Sequence, residues 1–248
     1  GNATLVGFFS RANSTVTIFF HIAGSTANYG SVSYIAQAHH RGESVGTLLN
    51  KATSLLTGIA WTALGLTYVF ATDIITVLYG EKWLPSVPAI DGLLVACAIG
   101  TIFNYYPAAM TAIGRPFLAS FPIVVTLASR VAFAFALFDG SIRSFSWVIC
   151  GATIVAMPVL LIQQRIYFRH RLSTMLVALW PSAAVALICM AGAAMLKMAF
   201  PASFTPVLVL LASALPLACL WYLSLRITEH PLTPEIDKML AGLRARIA

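Results

Sequence analysis

Five side chains inside or beside long apolar stretches are the best candidates for chemistry in this sequence. They are Arg11, Ser14, His21, Asp91 and Arg130. A charge within the hydrocarbon of a membrane is costly, so such residues usually face the interior of a helix bundle or a water-filled cavity. A guanidinium in a cavity suits an anionic substrate, because it holds a phosphate through parallel hydrogen bonds. We therefore predict that these five residues bind substrate.

Each of the charged candidates also has a purely structural interpretation, which the sequence leaves open. Arg130 can extend its side chain to the outer headgroups, and Arg11 can act as an anchor at the membrane surface. Asp91 can pair with a cation, or it can stand in water at a helix N-terminus, where the macrodipole favours an acid. A lone histidine such as His21 is more often structural than proton-sensitive.

Ser14 and His21 are two helical turns apart, so they lie on one face of a helix. Further polar residues follow along the same stretch of sequence: Thr15, Thr17, Ser25, Thr26, Asn28 and Ser33. We expect Ser14 and His21 to line a polar stripe.

The motifs typical of enzymes are missing from the sequence. It has no Gly-rich phosphate loop, no GxSxG and no HExxH. The four cysteines show no metal-ligand spacing: Cys97, Cys150, Cys189 and Cys219. We expect no catalytic residue, no metal, no cofactor and no enzymatic activity.

Composition indicates a membrane protein. Only 9% of the 248 residues are charged, 59% are hydrophobic, and the mean hydropathy is +0.87. A soluble domain carries about a quarter charged residues. The net charge of +7 does not indicate nucleic-acid binding, since the cations are scattered between apolar runs.

A membrane-spanning helix needs about 20 mostly apolar residues, and the stretches with at most one charge predict about seven such helices. These stretches are residues 12–40, 52–72, 92–114, 116–138, 144–164, 172–196 and 198–225. We predict an all-α membrane protein, with a transmembrane bundle over residues 1–230 and a cytoplasmic amphipathic tail helix over 231–248. A partner-binding role for that tail helix is the alternative.

The distribution of cations sets the expected orientation. With the loop after the first span in the cytoplasm, ten cations lie on that side: Arg41, Lys51, Arg115, Arg165, Arg169, Arg171, Arg226, Lys238, Arg244 and Arg246. Four lie outside: Arg11, Lys82, Arg143 and Lys197. We expect an outer N-terminus and a cytoplasmic C-terminus. Because the chain opens with Gly1 and no signal peptide, we also expect earlier spans upstream.

Three local patterns together resemble the lipopolysaccharide and exopolysaccharide flippases of the multidrug/oligosaccharidyl-lipid/polysaccharide exporter superfamily. They are Gly-Phe-Phe-Ser-Arg-Ala at 7–12, the segment 77–88 with its Gly-Glu-Lys-Trp, and Met-Thr-Ala-Ile-Gly-Arg-Pro at 110–116. The resemblance extends over about residues 5–170. It departs at Gly30-Ser31-Val32-Ser33-Tyr34, where the family often has Pro-x-x-Ser-Arg.

The resemblance implies one lobe of a two-lobed protein of about twelve to fourteen helices. The seven spans would be helices 8–14, and the N-terminal half of the same protein would be a partner. It further implies transport of undecaprenyl-diphosphate-linked oligosaccharide across the bacterial inner membrane by alternating access, in contact with membrane lipids. Two alternatives stay open: a multidrug or cation exporter of the same superfamily, and a membrane-embedded glycosyl or acyl transferase using His39 and His40.

Overall fold

The computed structural model describes residues 3–201 and 203–247, without the side chains of residues 19–33, 240 and 243–247. All regular elements in this part of the chain are helical, so the all-α prediction is confirmed. The α-helices are α1 (Ala3–His40), α2 (Val45–Val69), α3 (Ala71–Tyr79), α4 (Ile90–Ile102), α5 (Tyr106–Ala112), α6 (Pro116–Leu137), α7 (Ile142–Phe168), α8 (Leu172–Ala199), α9 (Pro206–Ile227) and α10 (Thr233–Ile247). A 3₁₀ segment, Glu81–Ala89, precedes α4.

Six helical stretches among the described residues are long and apolar enough to cross a bilayer. They are Val45–Val69, Glu81–Ala112, Pro116–Leu137, Ile142–Phe168, Leu172–Ala199 and Pro206–Ile227. Each corresponds to one of the predicted stretches, and the chain is a multi-pass membrane protein. Helix α1, with 38 residues, is more than long enough to be the seventh span, but its central side chains lie outside the described residues.

The third span differs from the single helix expected over residues 92–114. It begins with the 3₁₀ segment, continues as α4, and breaks at residues 103–105 before α5 resumes. Pro107 explains the break, because it stands at the start of α5 and lacks the N–H group that would bond to the Phe103 carbonyl, with which its ring would clash in a continuous helix. The span therefore comprises several short helices where an unbroken one was expected.

Helix α2 is central to the bundle, where it packs against α8, α4 and α1. Helix α7 joins α6 to α4, and α9 packs on α8 and α3. Close contact between α2 and α8 depends on small residues: a methyl group on Gly65 would come within 2.5 Å of the Met190 side chain. Small residues at such interfaces allow helices to approach closely in lipid, where van der Waals contact drives association.

The contact between α4 and α7 generates a stability prediction. A methyl group at Gly92 would lie 2.6 Å from the backbone carbon of Ser146, so the helices must move apart to accept it. We expect Gly92→Ala to lower the unfolding free energy by about 1–3 kcal/mol. The measurement is thermal or denaturant unfolding of the purified protein in detergent.

Gly100→Ala is the matched control, because Gly100 lies on the same helix with nothing within 4 Å of the added methyl group. It should leave stability unchanged or raise it, since alanine favours helix over glycine. Equal destabilisation by the two substitutions would contradict the proposed close contact.

Candidate functional site

Arg11 lies beside two aromatic rings that the resemblance to the flippases also singled out. Its guanidinium carbon is 5.2 Å from the centre of the Tyr79 ring and 5.1 Å from that of Trp83. A cation at this distance from an aromatic face is attracted by the ring quadrupole. The Arg11 side chain is exposed. The contact therefore orients the guanidinium without burying it, so that it can still bind a ligand.

The ring of Trp83 is also the contact point for the rest of the first motif. Phe8 meets it edge-on, with ring centres 5.7 Å apart. A methyl group at Gly7 would lie 3.6 Å from the Trp83 ring, in ordinary contact. The first two sequence motifs therefore form one packed unit, which was not predicted from sequence.

Gly80 positions that tryptophan. Its φ of 90° is in the region that only glycine adopts readily, and it turns the chain from α3 into the 3₁₀ segment. The Trp83 N–H then donates to the Gly80 carbonyl at 3.1 Å, and the Ser86 hydroxyl donates to the Trp83 carbonyl at 2.6 Å. These bonds stabilise the turn of the short segment, which packs against α1.

The N-terminal half of α1 has a polar face whose side chains are exposed or half-buried among the described residues. Residues at three- and four-residue spacing form this face: Ser10, Asn13, Ser14 and Thr17. Ser10 and Asn13 are exposed, whereas Ser14 and Thr17 are half-buried. The opposite face packs into the bundle through residues that are fully buried: Ala12, Thr15 and Val16. Exposed polar side chains are costly for a helix surrounded by lipid, although α1 also exposes Val6 (67%) and Ile18 (38%) at the two ends of this stretch.

Ser14 therefore belongs to a polar stripe, which we call the α1 polar face. The predicted continuation of this stripe through His21 lies outside the described residues. Arg11 is exposed next to Ser10 at one end of the face. Of the five predicted site residues, the structure places Arg11 and Ser14 within a single helical turn of each other.

Asp91 lies elsewhere, at the start of α4. It lines a cavity of about 520 Å³ together with Arg143 of α7 and the aromatic residues Trp61, Tyr68 and Trp147. Tyr68 and Trp147 are about half exposed there. Opposite charges beside exposed aromatic rings give this cavity both polar and apolar walls. Neither Arg11, Ser14 nor Arg130 lines it.

Arg130 lies on α6, at the edge of the bundle, where α6 packs on α7 and α5. Its side chain is exposed, as are the apolar side chains of Leu127, Val131 and Phe135 around it. An exposed Arg130 side chain can extend to the lipid headgroups, and it can equally face a water-filled cavity formed with other helices. A substrate-binding role for Arg130 therefore stays a prediction.

A buried polar network was missed from sequence. The imidazole of His230, only 1% exposed, accepts a hydrogen bond at Nδ1 from the Leu232 N–H at 3.0 Å. Its Nε2 therefore carries the proton, which it donates to the Ser182 hydroxyl at 2.9 Å. Ser182 and the Thr57 hydroxyl are 2.8 Å apart. The network joins α2, α8 and the α9–α10 connection.

The only sequence signal for this network was a histidine placed directly after the last span. The bonds from His230 to Ser182 and from Ser182 to Thr57 join residues 48 and 125 positions apart in sequence, which no local pattern indicates. An ion pair was missed for the same reason: Lys197 Nζ lies 2.6 Å from an Asp73 oxygen, linking the end of α8 to α3.

The comparison with protein families agrees with this part of the structure. Residues 2–88 match the model of a family described as polysaccharide biosynthesis protein. The matched residues comprise α1, α2, α3 and most of the 3₁₀ segment, and they include the packed unit of Arg11 and Trp83. No curated protein and no solved structure matches the chain. The family match supports a membrane protein of the polysaccharide-exporter type, involved in polysaccharide export.

The buried imidazole generates a pH prediction. Burial lowers the pKa of His230 from 6.5 to about 4. Because the unfolded chain takes up a proton near pH 6.5 and folded His230 does not, its contribution to stability is complete above that pH and is lost as the pH falls towards 4. We expect the melting temperature of the purified protein to fall over this interval, and His230→Gln to reduce the fall.

The control is His39→Gln, because His39 is exposed at the end of α1. This variant should retain the pH dependence of the unsubstituted protein. If His230→Gln lost stability on acidification as steeply as the unsubstituted protein, the neutral buried imidazole would not be responsible.

Proposed function

We propose that this protein moves a lipid-linked oligosaccharide, carried on undecaprenyl diphosphate, across the bacterial inner membrane by alternating access. It acts as a flippase for polysaccharide export, and performs no covalent chemistry on its substrate. The family match over residues 2–88 and the six apolar helical stretches support the general class. The α1 polar face supports the more specific proposal.

The polar side chains of the α1 polar face would be costly if they faced lipid. An amide facing hydrocarbon finds no partner there, and a hydroxyl finds one only on its own helix, so polar faces of spanning helices usually turn towards protein or water. Ser10 and Asn13 are exposed, whereas Ala12 and Val16 on the opposite side of α1 are buried. A water-filled path along this face would hydrate these groups, and it would admit a hydrophilic sugar chain.

Charge supports an anionic substrate. Arg11 is exposed at one end of the α1 polar face, held by aromatic rings and by no carboxylate among the described residues. A guanidinium free of acidic partners is suited to a diphosphate. We propose that Arg11 binds this group as the substrate enters or leaves, and that Arg130 belongs to the same path.

The cavity beside Asp91 suits the sugar portion of the substrate. The apolar faces of sugar rings pack on exposed aromatic side chains such as those of Tyr68 and Trp147, while a carboxylate accepts hydrogen bonds from sugar hydroxyls. We propose that Asp91 contacts sugar in this way.

A path along α1 needs a second wall. We propose that the facing surface is supplied by an N-terminal half of the same protein, with further helices that pack against the α1 polar face. This arrangement gives two lobes whose relative movement opens the path to either side in turn.

Substitution on the α1 polar face tests the proposed function. We expect Ser14→Leu combined with Thr17→Leu, in the full-length protein, to lower polysaccharide export at least about tenfold, because two hydroxyls that contact the polar substrate are lost. The measurement is surface polysaccharide in cells that depend on this protein, with its amount in the membrane determined in parallel.

Thr153→Leu is the matched control. Its hydroxyl is half-buried and donates to the Ile149 carbonyl at 2.9 Å, as that of Thr17 donates to the Asn13 carbonyl at 2.8 Å. The control should export normally. Normal export by the Ser14/Thr17 double variant, at normal abundance, would refute a transport path along α1.

A further inference from the structure

A second polar cavity lies at the turn between α7 and α8, away from the α1 polar face. Its volume is about 520 Å³. Two arginines, Arg165 and Arg171, line it together with His170 and Ser173. Its other side is apolar, and includes Ile162 and Leu172, which are 58% and 51% exposed. We call it the α7–α8 pocket.

The turn itself has an unusual backbone that places the two arginines together. Arg169 adopts a left-handed conformation, with φ of 52°, and ends α7. The His170 N–H then returns to donate to the Gln164 carbonyl at 3.2 Å. This bond, together with that from the Arg169 N–H to the same carbonyl, closes the end of α7. As a result Arg165, in the last turn of α7, and Arg171, just before α8, border one cavity.

His170 forms a rigid wall of the pocket. Its ring nitrogens lie 2.9 Å from Gln164 Oε1 and 2.6 Å from Asn50 Oδ1, which ties the turn to α2. The side chain is buried, with 8% of its surface exposed. A methyl group at Gly46 would lie only 3.1 Å from the Phe168 carbonyl oxygen, so the turn rests closely on α2.

The positive charge in this pocket is not neutralised by the protein. Within the described part of the chain, neither Arg165 nor Arg171 forms an ion pair, and no acidic residue lines the cavity. Helix α8 begins at the pocket with no acid in its first turn and no side-chain cap at Arg171. Its first N–H groups therefore add partial positive charge to that of the arginines.

From these observations we propose that the α7–α8 pocket binds the phosphate headgroup of an anionic membrane lipid. The phosphate lies between Arg165 and Arg171 and accepts a hydrogen bond from the Ser173 hydroxyl. Both flanking helices are candidate spans, so their connecting turn lies at a membrane surface, where lipid headgroups are. The exposed side chains of Ile162 and Leu172 provide an apolar surface for the first part of an acyl chain.

The apolar wall favours a lipid over free phosphate, because an inorganic ion gains nothing from Ile162 or Leu172. Basic pockets between transmembrane helices are known to bind anionic headgroups. This lipid is separate from the transported substrate, because the pocket shares no residue with the α1 polar face or the Asp91 cavity. The site therefore holds a bound lipid whether or not the proposed transport function is correct.

Native mass spectrometry of the full-length protein with added lipid tests this site. The probes are phosphatidylglycerol, phosphatidylcholine and inorganic phosphate, each titrated separately. We expect phosphatidylglycerol to bind most tightly. We expect Arg165→Gln combined with Arg171→Gln to weaken it about thirtyfold, the loss expected for two cations beside an anionic lipid.

The control is Lys51→Gln combined with Arg169→Gln. It removes the same charge from exposed residues near the turn that do not line the pocket, and it should retain phosphatidylglycerol binding. Equal weakening by both double variants would show that the lipid is attracted by the positive surface in general and is not bound in this pocket. Equal affinity for phosphatidylcholine, or for inorganic phosphate alone, would also overturn the proposal.

Discussion

Polar groups without partners are costly in hydrocarbon, and among the described residues the Ser54 hydroxyl is the one buried side-chain group that lacks a hydrogen bond. Hydroxyls within the helices donate back to carbonyls one turn earlier, as Thr62 does to Gly58 at 3.1 Å and Thr67 to Ala63 at 2.8 Å. Where hydroxyls meet between helices they bond to each other, as Thr57 and Ser182 do. Even the Trp61 indole N–H donates within the bundle, to the Ala98 carbonyl at 2.9 Å.

The same constraint gives the α1 polar face its significance. Thr15, on the buried side of α1, satisfies its hydroxyl through the Arg11 carbonyl at 2.9 Å and is covered completely. Ser10 and Asn13, on the other side, are exposed. A bundle that partners its polar groups so thoroughly elsewhere would expose this face to hydrocarbon only at a cost in free energy. Water or a facing protein surface removes that cost, and both are features of a transport path.

Local sequence pattern predicts the helices well, because span length and charge exclusion depend on nearby residues. The stretch at 116–138 reappears as α6 almost unchanged. The third span was less predictable: Pro107 divides it, although its overall hydropathy suits a single helix. The 3₁₀ segment was not predicted either, because its residues 81–89 lie between the apolar stretches 52–72 and 92–114.

The candidate site was only partly predictable. The stripe containing Ser14 follows from helical spacing, and the charge of Arg11 is evident from sequence. The rings that hold Arg11 are about 70 residues away in sequence, so their contact with it depends on packing between elements. The hydrogen bonds of His230 could not be found from sequence spacing, since they depend on the packing of α2 and α8. The pocket between Arg165 and Arg171 could not be found either, because it depends on the left-handed backbone at Arg169.

The central claim is that the α1 polar face borders water inside the membrane. A nitroxide label at Ser14→Cys in the reconstituted full-length protein tests it directly, by collision with oxygen and with a water-soluble nickel complex. The reference is a label at Leu215→Cys on α9, an apolar position that is 73% exposed. The account predicts that the nickel complex relaxes the Ser14 label strongly, and that oxygen dominates at Leu215. An oxygen-dominated profile at both positions would place α1 against lipid and contradict the account.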